Sequence, residues 1–166
     1  MHKKGFTTFL VSNGTLPLAL SKLSEEPSQL HISTCASDEK TFKQVCQPQF
    51  PKAWKKLNET LQNLPSSKCP TVLRITLPRD LNMANIDGYA KIVEKAKPTY
   101  IEPKAYMYVG FSRLRMKFDN MSSHKEIYTF GEQLAKKTGY NLVDESTDSR
   151  VVLLSKLEKT RRFDSA

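Results

Sequence analysis

Apolar positions along the chain switch between two spacings, and the switches divide it into elements. Phe6 to Ser12 (FTTFLVS) is β-branched and aromatic and runs into Asn13-Gly14-Thr15, which predicts a strand and then a turn whose Thr15 caps a following helix. Leu16, Leu20 and Leu23 share a helical face, so a helix is expected from Leu16 to Glu25, stopped by Pro27. Gln29 to Cys35 (QLHISTC) reads as a second strand. Asp38 then opens a short helix with Phe42, Val45 and Cys46 at helical spacing. Pro48 and Pro51 punctuate the chain before an amphipathic helix marked by Trp54, Leu57, Leu61 and Leu64, which ends ahead of Pro65. Thr71 to Leu77 is a third strand, and Tyr89, Ile92, Val93 and Ala96 mark the helix after it. A fourth strand starts near Tyr100 and is expected to continue through YIEPKAYMYVGF.

Strands alternating with helical segments predict successive βα units and a parallel sheet, since each parallel crossover must carry a helix back over the sheet. The last third changes character. Asn120 to Gly139 reads as one long amphipathic helix, and Tyr140 to Asp144 with Arg150 to Leu154 as an antiparallel hairpin around ESTDS. This gives an α/β domain over residues 1–118 and an α+β extension over 119–166. The tail LEKTRRFDSA is basic and is expected to be frayed, with its TRR solvated.

Buried parallel strands usually read apolar on both faces, so polar residues recurring on one face need an explanation. His31, Ser33 and Cys35 alternate with Leu30 and Ile32. Arg74 and Thr76 alternate with Leu73, Ile75 and Leu77, and Glu102, Lys104, Tyr106 and Tyr108 with Ile101, Ala105, Met107 and Val109. Either Glu102 and Lys104 form a structural ion pair and Arg74 an equally inert bridge, or these side chains line a site at the strand C-termini. In the second case a partly desolvated Lys104 suits imine formation with a carbonyl substrate. Arg113, Arg115 and Lys117, two apart on an extended segment with Tyr106 and Tyr108 nearby, fit phosphate contact beside stacking surfaces.

Charge leaves two readings open, a polyanion partner or a solvated basic surface that does nothing specific. The 166 residues carry 26 Lys+Arg against 17 Asp+Glu, a net +9, and the excess lies beyond residue 50. A polyanion is a fitting partner. No run approaches the length of a membrane helix and Met1-His-Lys-Lys has no apolar continuation, so a cytoplasmic protein is expected. Cys35, Cys46 and Cys69 include no Cys-x-x-Cys pair, and no metal-ligand set is visible.

The block YIEPKAYMYVGFSRLRM followed by NMSSHKEIYTFGEQLAKKTGYNLVDESTDSRVVLLSK resembles the C-terminal part of the archaeal-type tRNA 4-demethylwyosine synthases, radical S-adenosylmethionine enzymes of wybutosine biosynthesis. GFTTFLVSNGTLP, QLHIS, CQPQFPKAWKKL and VLRITLPRDLNM extend the likeness upstream. The resemblance implies an incomplete radical-SAM-type (βα) barrel of about four units with a C-terminal extension. It also implies a lyase reaction in which pyruvate and S-adenosylmethionine build a tricyclic base on N1-methylguanosine of phenylalanine tRNA. The family's Cys-x-x-x-Cys-x-x-Cys motif and its further cluster cysteines are not among these residues. The [4Fe-4S] clusters are therefore expected on a missing N-terminal half, with this chain inactive alone and Phe6 to Ser12 left at an edge. Cys35 stands where the family usually carries an acidic residue.

By resemblance, Ser12, Asn13, Gly14, Ser33 and Arg74 are expected to bind S-adenosylmethionine. Lys104 is expected to anchor pyruvate by imine or salt bridge, and Ser112, Arg113, Arg115, Asn120 and His124 to contact tRNA. The alternatives are a non-catalytic tRNA-binding remnant and a truncated gene product.

Overall fold

In the computed structural model, which describes residues 4–158 and 160, one sheet of six strands carries the fold in the order β1-β2-β3-β4-β6-β5. The strands are β1 (Phe9–Ser12), β2 (Gln29–Thr34), β3 (Thr71–Leu77), β4 (Tyr100–Ala105), β5 (Asn141–Ser146) and β6 (Val151–Ser155). The first four pair in parallel. The helices are α1 (Pro17–Ser21), α2 (Glu39–Cys46), α3 (Ala53–Asn63), α4 (Ile86–Ala96) and α5 (His124–Thr138). The basic pair Arg161 and Arg162 of the expected tail lies outside the described residues.

Register sorts the side chains. Ile32, Leu73, Ile101 and Leu154 align across β2, β3, β4 and β6, and this row is buried in the core with Leu57 and Leu61 of α3, Ile92 and Val93 of α4, and Ile127 and Leu134 of α5. The next row, Ser33, Arg74 and Glu102, must point to the opposite face because successive strand residues alternate. Apolar burial thus fixes one side of the sheet and leaves charged groups on the other.

The hairpin joins the main sheet, β6 running antiparallel to β4 and extending it. Other expectations are corrected in length. The first strand is confined to Phe9–Ser12, since the amide of Thr8 already bonds the Ser28 hydroxyl. The first helix is only Pro17–Ser21, because Glu26 draws the following chain away by accepting the amides of Lys68 and Cys69 at 2.8 and 2.7 Å. Thr15 does not cap it; its hydroxyl bonds Asn13 Oδ1 and the cap position is Leu16. The fourth strand stops at Ala105: Tyr106 still donates to the Leu77 carbonyl, but Val109 then folds back on Met107 and Gly110 enters at φ 58°, opening a 3₁₀ turn over Gly110–Leu114. The last helix begins at His124, not Asn120, since Ser123 and Glu126 form a reciprocal capping box.

Gly14 shows how tightly the β1 turn is held. It sits at φ 69°, its carbonyl accepts the buried Thr60 hydroxyl at 2.6 Å, and a Cβ would lie 2.7 Å from Leu57 Cδ1 and 3.2 Å from Ile32 Cγ2. A left-handed backbone and a filled space both select glycine. Gly14→Ala is therefore expected to cost about 2 kcal/mol of stability, read by urea unfolding of the parent and variant chains; an unchanged midpoint would contradict this packing.

Candidate functional site

The face turned away from the helices gathers the polar residues of β2, β3 and β4. Ser33, Arg74 and Glu102 are in register, and Thr76 lies beside Lys104. Arg74 donates from Nε to Glu102 Oε1 and from Nη2 to Glu102 Oε2, both at 3.1 Å, a two-point fork that leaves Nη1 free of bonds among the described residues. Glu102 therefore pairs with Arg74 across the strands. An ion pair with Lys104, two residues along, is not what forms. Lys104 is half-buried, has no ion pair among the described residues, and lies opposite Val151 of β6.

His31 completes this cluster. It is 8% exposed, and its Nε2 lies 2.8 Å from Gln29 Oε1. An amide oxygen can only accept, so Nε2 carries the proton and Nδ1 presents a lone pair. That Nδ1 is buried without a hydrogen-bond partner and sits 3.9 Å from Glu102 Oε2. Burial lowers the imidazole pKa below its ordinary value, and the Arg74 charge adds to this while Glu102 opposes it. The result is a neutral imidazole beside a guanidinium–carboxylate pair. The alternation in QLHIS places His31 on the polar face, yet sequence gives no sign that its second nitrogen lacks a partner.

At the strand C-termini, the turn after β1 uses its own polar groups. Ser12 Oγ accepts the Gly14 amide at 3.1 Å, and Asn13 Oδ1 accepts the amide and hydroxyl of Thr15 at 3.1 and 2.8 Å. After β2, the Cys35 and Cys46 thiols act on each other's ionisation, Cys46 being pushed up by its neighbour and by burial while Cys35 is lowered.

The segment after β4 carries the remaining candidates. The 3₁₀ turn replaces the extended run expected for Arg113, Arg115 and Lys117, so these side chains do not share one strand face. Ser112 Oγ is spent on the Val109 carbonyl at 2.6 Å and the Tyr106 hydroxyl at 2.8 Å. Arg115 Nη1 donates to the Val45 carbonyl at 3.1 Å, pinning the loop to the end of α2. Arg113 lies over the Tyr108 ring, 5.2 Å from its centroid. Asn120 is a brace: its Oδ1 accepts the Lys117 amide and its Nδ2 donates to the Arg79 carbonyl. His124 bonds Glu145 at 2.7 Å. Arg113 thus keeps its guanidinium available, Arg115 in part, whereas Ser112, Asn120 and His124 hold the loop and helix in place.

Among the described residues no group of three or more His, Cys, Asp or Glu is arranged to hold a metal ion, and no helix is long and apolar enough to cross a membrane.

Residues 95–156 match the family model for wyosine base formation. The chain is 43% identical over 157 residues to the S-adenosyl-L-methionine-dependent tRNA 4-demethylwyosine synthase of Pyrococcus horikoshii, covering 92% of this chain and 46% of that protein. It is 40% identical over 153 residues to the synthase of the same name from Methanocaldococcus jannaschii, covering 92% and 48%. Among solved structures it is similar to TYW1 with a lysine-pyruvate adduct bound, at 38% identity and a TM-score of 0.83 over 93% of this chain and 48% of that one. The likeness to archaeal TYW1 is 36% identity with a TM-score of 0.76. The chain spans about half the length of the curated relatives it matches.

The loop is anchored at its far end by Arg79, whose Nε and Nη2 grip the Glu126 carboxylate while Nη1 bonds the Asp119 carbonyl. This guanidinium, with help from Ser123, holds the Glu126 carboxyl down at about 2, below its ordinary 4.5. A depressed carboxylate stabilises the fold fully above its unfolded value and loses that contribution as pH falls through the folded one. Parent and Glu126→Gln chains, unfolded in urea at a series of pH values, are expected to differ at neutral pH and to converge between about pH 4.5 and 2. The difference is expected to be small, since both side chains reach solvent.

Proposed function

We propose, from the premise that this chain belongs with the C-terminal part of the tRNA 4-demethylwyosine synthases, that it is the substrate-holding portion of an enzyme condensing pyruvate with N1-methylguanosine in phenylalanine tRNA to give 4-demethylwyosine. The observation that carries this reading is a 43% identical relative aligned over 92% of the chain, together with a sheet face turned away from the helices on which Ser33, Arg74 and Glu102 stand in register and Lys104 lies beside Thr76. The four parallel strands would be one arc of a radical-SAM-type (βα) barrel, residues 1–118, with 119–166 as the wyosine-forming extension.

S-Adenosylmethionine together with a reduced [4Fe-4S] cluster supplies a hydrogen-abstracting radical in enzymes of this type. The described residues offer no ligand set for a cluster, and we assign it to a part of the enzyme outside them. The cofactor's polar parts fit this chain better. The Nη1 edge of Arg74 suits a carboxylate, Glu102 fixes the guanidinium plane, and Ser33 adds a hydroxyl on the same face. The Ser12-Asn13-Gly14 turn, its side chains already bonded internally, would offer its rigid outline more than free polar groups.

Lys104 is the cation we assign to pyruvate, as an ion pair to its carboxylate or as an imine to its keto carbon. The imine forms when the neutral amine adds to the carbonyl and water leaves. Neutral His31, with Nδ1 open, could take up a proton on the same face. The exposed cations of the loop after β4, Arg113 foremost, would meet the tRNA backbone.

Two measurements test this. Mixed with the N-terminal half of the Pyrococcus synthase, reductant, S-adenosylmethionine, pyruvate and N1-methylated tRNA, the chain is expected to yield the tricyclic nucleoside on mass analysis, and neither half alone is; absence of product from the mixture would leave at most a tRNA-binding remnant. Pyruvate retention by the parent chain is expected to be lost in Lys104→Ala. Lys104→Arg separates the two modes, since it preserves an ion pair and abolishes borohydride-trapped adduct; trapping on a different lysine would overturn the assignment.

A further inference from the structure

The 3₁₀ turn over Gly110–Leu114 carries the most exposed large apolar side chains among the described residues, with Phe111 at 89% and Leu114 at 81%. Exposed apolar residues on a slack loop would mean little, but this turn is fastened. The Tyr106 hydroxyl and the Val109 carbonyl hold Ser112, the Ser112 carbonyl accepts the amides of Arg115 and Met116, and Arg115 reaches across to Val45. Tyr108 packs edge-on against Phe118 at 6.0 Å and carries Arg113 on its ring. A rigid base thus holds an aromatic ring in water, at the same end of the strands as the candidate site.

The neighbours of this ring indicate what covers it. Arg113, Arg115 and Lys117 stand within six residues of Phe111, with no acidic side chain between Glu102 and Asp119. An apolar protein surface would gain nothing from that cationic border, whereas an unpaired nucleotide offers both an aromatic face and a phosphate. We infer that Phe111 is a stacking platform for an unpaired RNA base, flanked by Arg113 as the phosphate contact. This rests on the tRNA reading above and deepens it: the preferred partner is a single-stranded loop, and a duplex lacks the free base face that Phe111 requires.

The test uses the whole chain and two fluorescein-labelled RNAs of equal length, a hairpin with an unpaired purine-rich loop and a blunt duplex, followed by anisotropy across a salt series. The parent is expected to favour the hairpin. Phe111→Ala is expected to weaken hairpin binding about ten-fold and leave the duplex unchanged. Phe111→Trp should restore affinity, with its added emission quenched on binding. Phe111→Leu, which keeps apolar bulk without a π-face, should behave like the alanine variant. Arg113→Ala should weaken both RNAs and lower the salt slope by about one charge. Since Phe111 is almost fully exposed, unchanged melting temperatures serve as the folding control. Equal hairpin affinity of the parent, alanine and leucine variants, with salt-dependent binding intact, would overturn the platform alone. A parent chain that binds neither RNA would overturn the tRNA reading together with it.

Discussion

Every arrangement described above depends on the strands keeping one phase of alternation across the sheet. Ile32, Leu73, Ile101 and Leu154 lie in one row, and burying that row against the helices forces Ser33, Arg74 and Glu102 onto the opposite side. A slip of one residue in any strand would exchange the two rows, pushing a guanidinium into an apolar core and an isoleucine into water. The core does more than stabilise the chain. It sets the address of each polar group on the other face, so packing and site geometry are one constraint seen from two sides.

That coupling explains how much was legible beforehand. Strand β3 and helix α3 could be read closely because strong apolar periods, bounded by Pro65, Pro70 and Pro78, leave few alternatives. The polar face was legible for the same reason, since alternation is a local property of each strand. What sequence could not supply was pairing between strands. Glu102 meets Arg74 from the neighbouring strand, and Lys104, its nearer neighbour in the chain, is left aside. The partnerless Nδ1 of His31 follows from tertiary surroundings alone.

The segment after β4 departs from its strand-like pattern for a physical reason. Its alternating apolar and basic residues mimic a strand, yet a strand there would need a neighbour to share its amides, and Tyr106 already takes the last carbonyl that β3 offers. The chain instead satisfies itself through short-range turns and through Ser112, Asn120 and Arg115, three polar residues for which the resemblance implied tRNA contact and whose bonds show bracing. Bonding divides the members of this segment between support and exposure, a division that residue type alone does not reveal.

The hairpin gives the sheet a direction of growth. By running against β4, strand β6 ends the parallel winding, and β5 beyond it is irregular at Leu142/Asp144 and presents Asn141, Asp144 and Glu145 to solvent. Such a kinked, acidic border discourages any further strand from docking. At the opposite flank Phe9 and Val11 of β1 are each more than half exposed. Among the described residues the sheet thus ends in a kinked, charged border at β5 and in an exposed apolar one at β1, so its two flanks differ in chemistry as well as in strand direction.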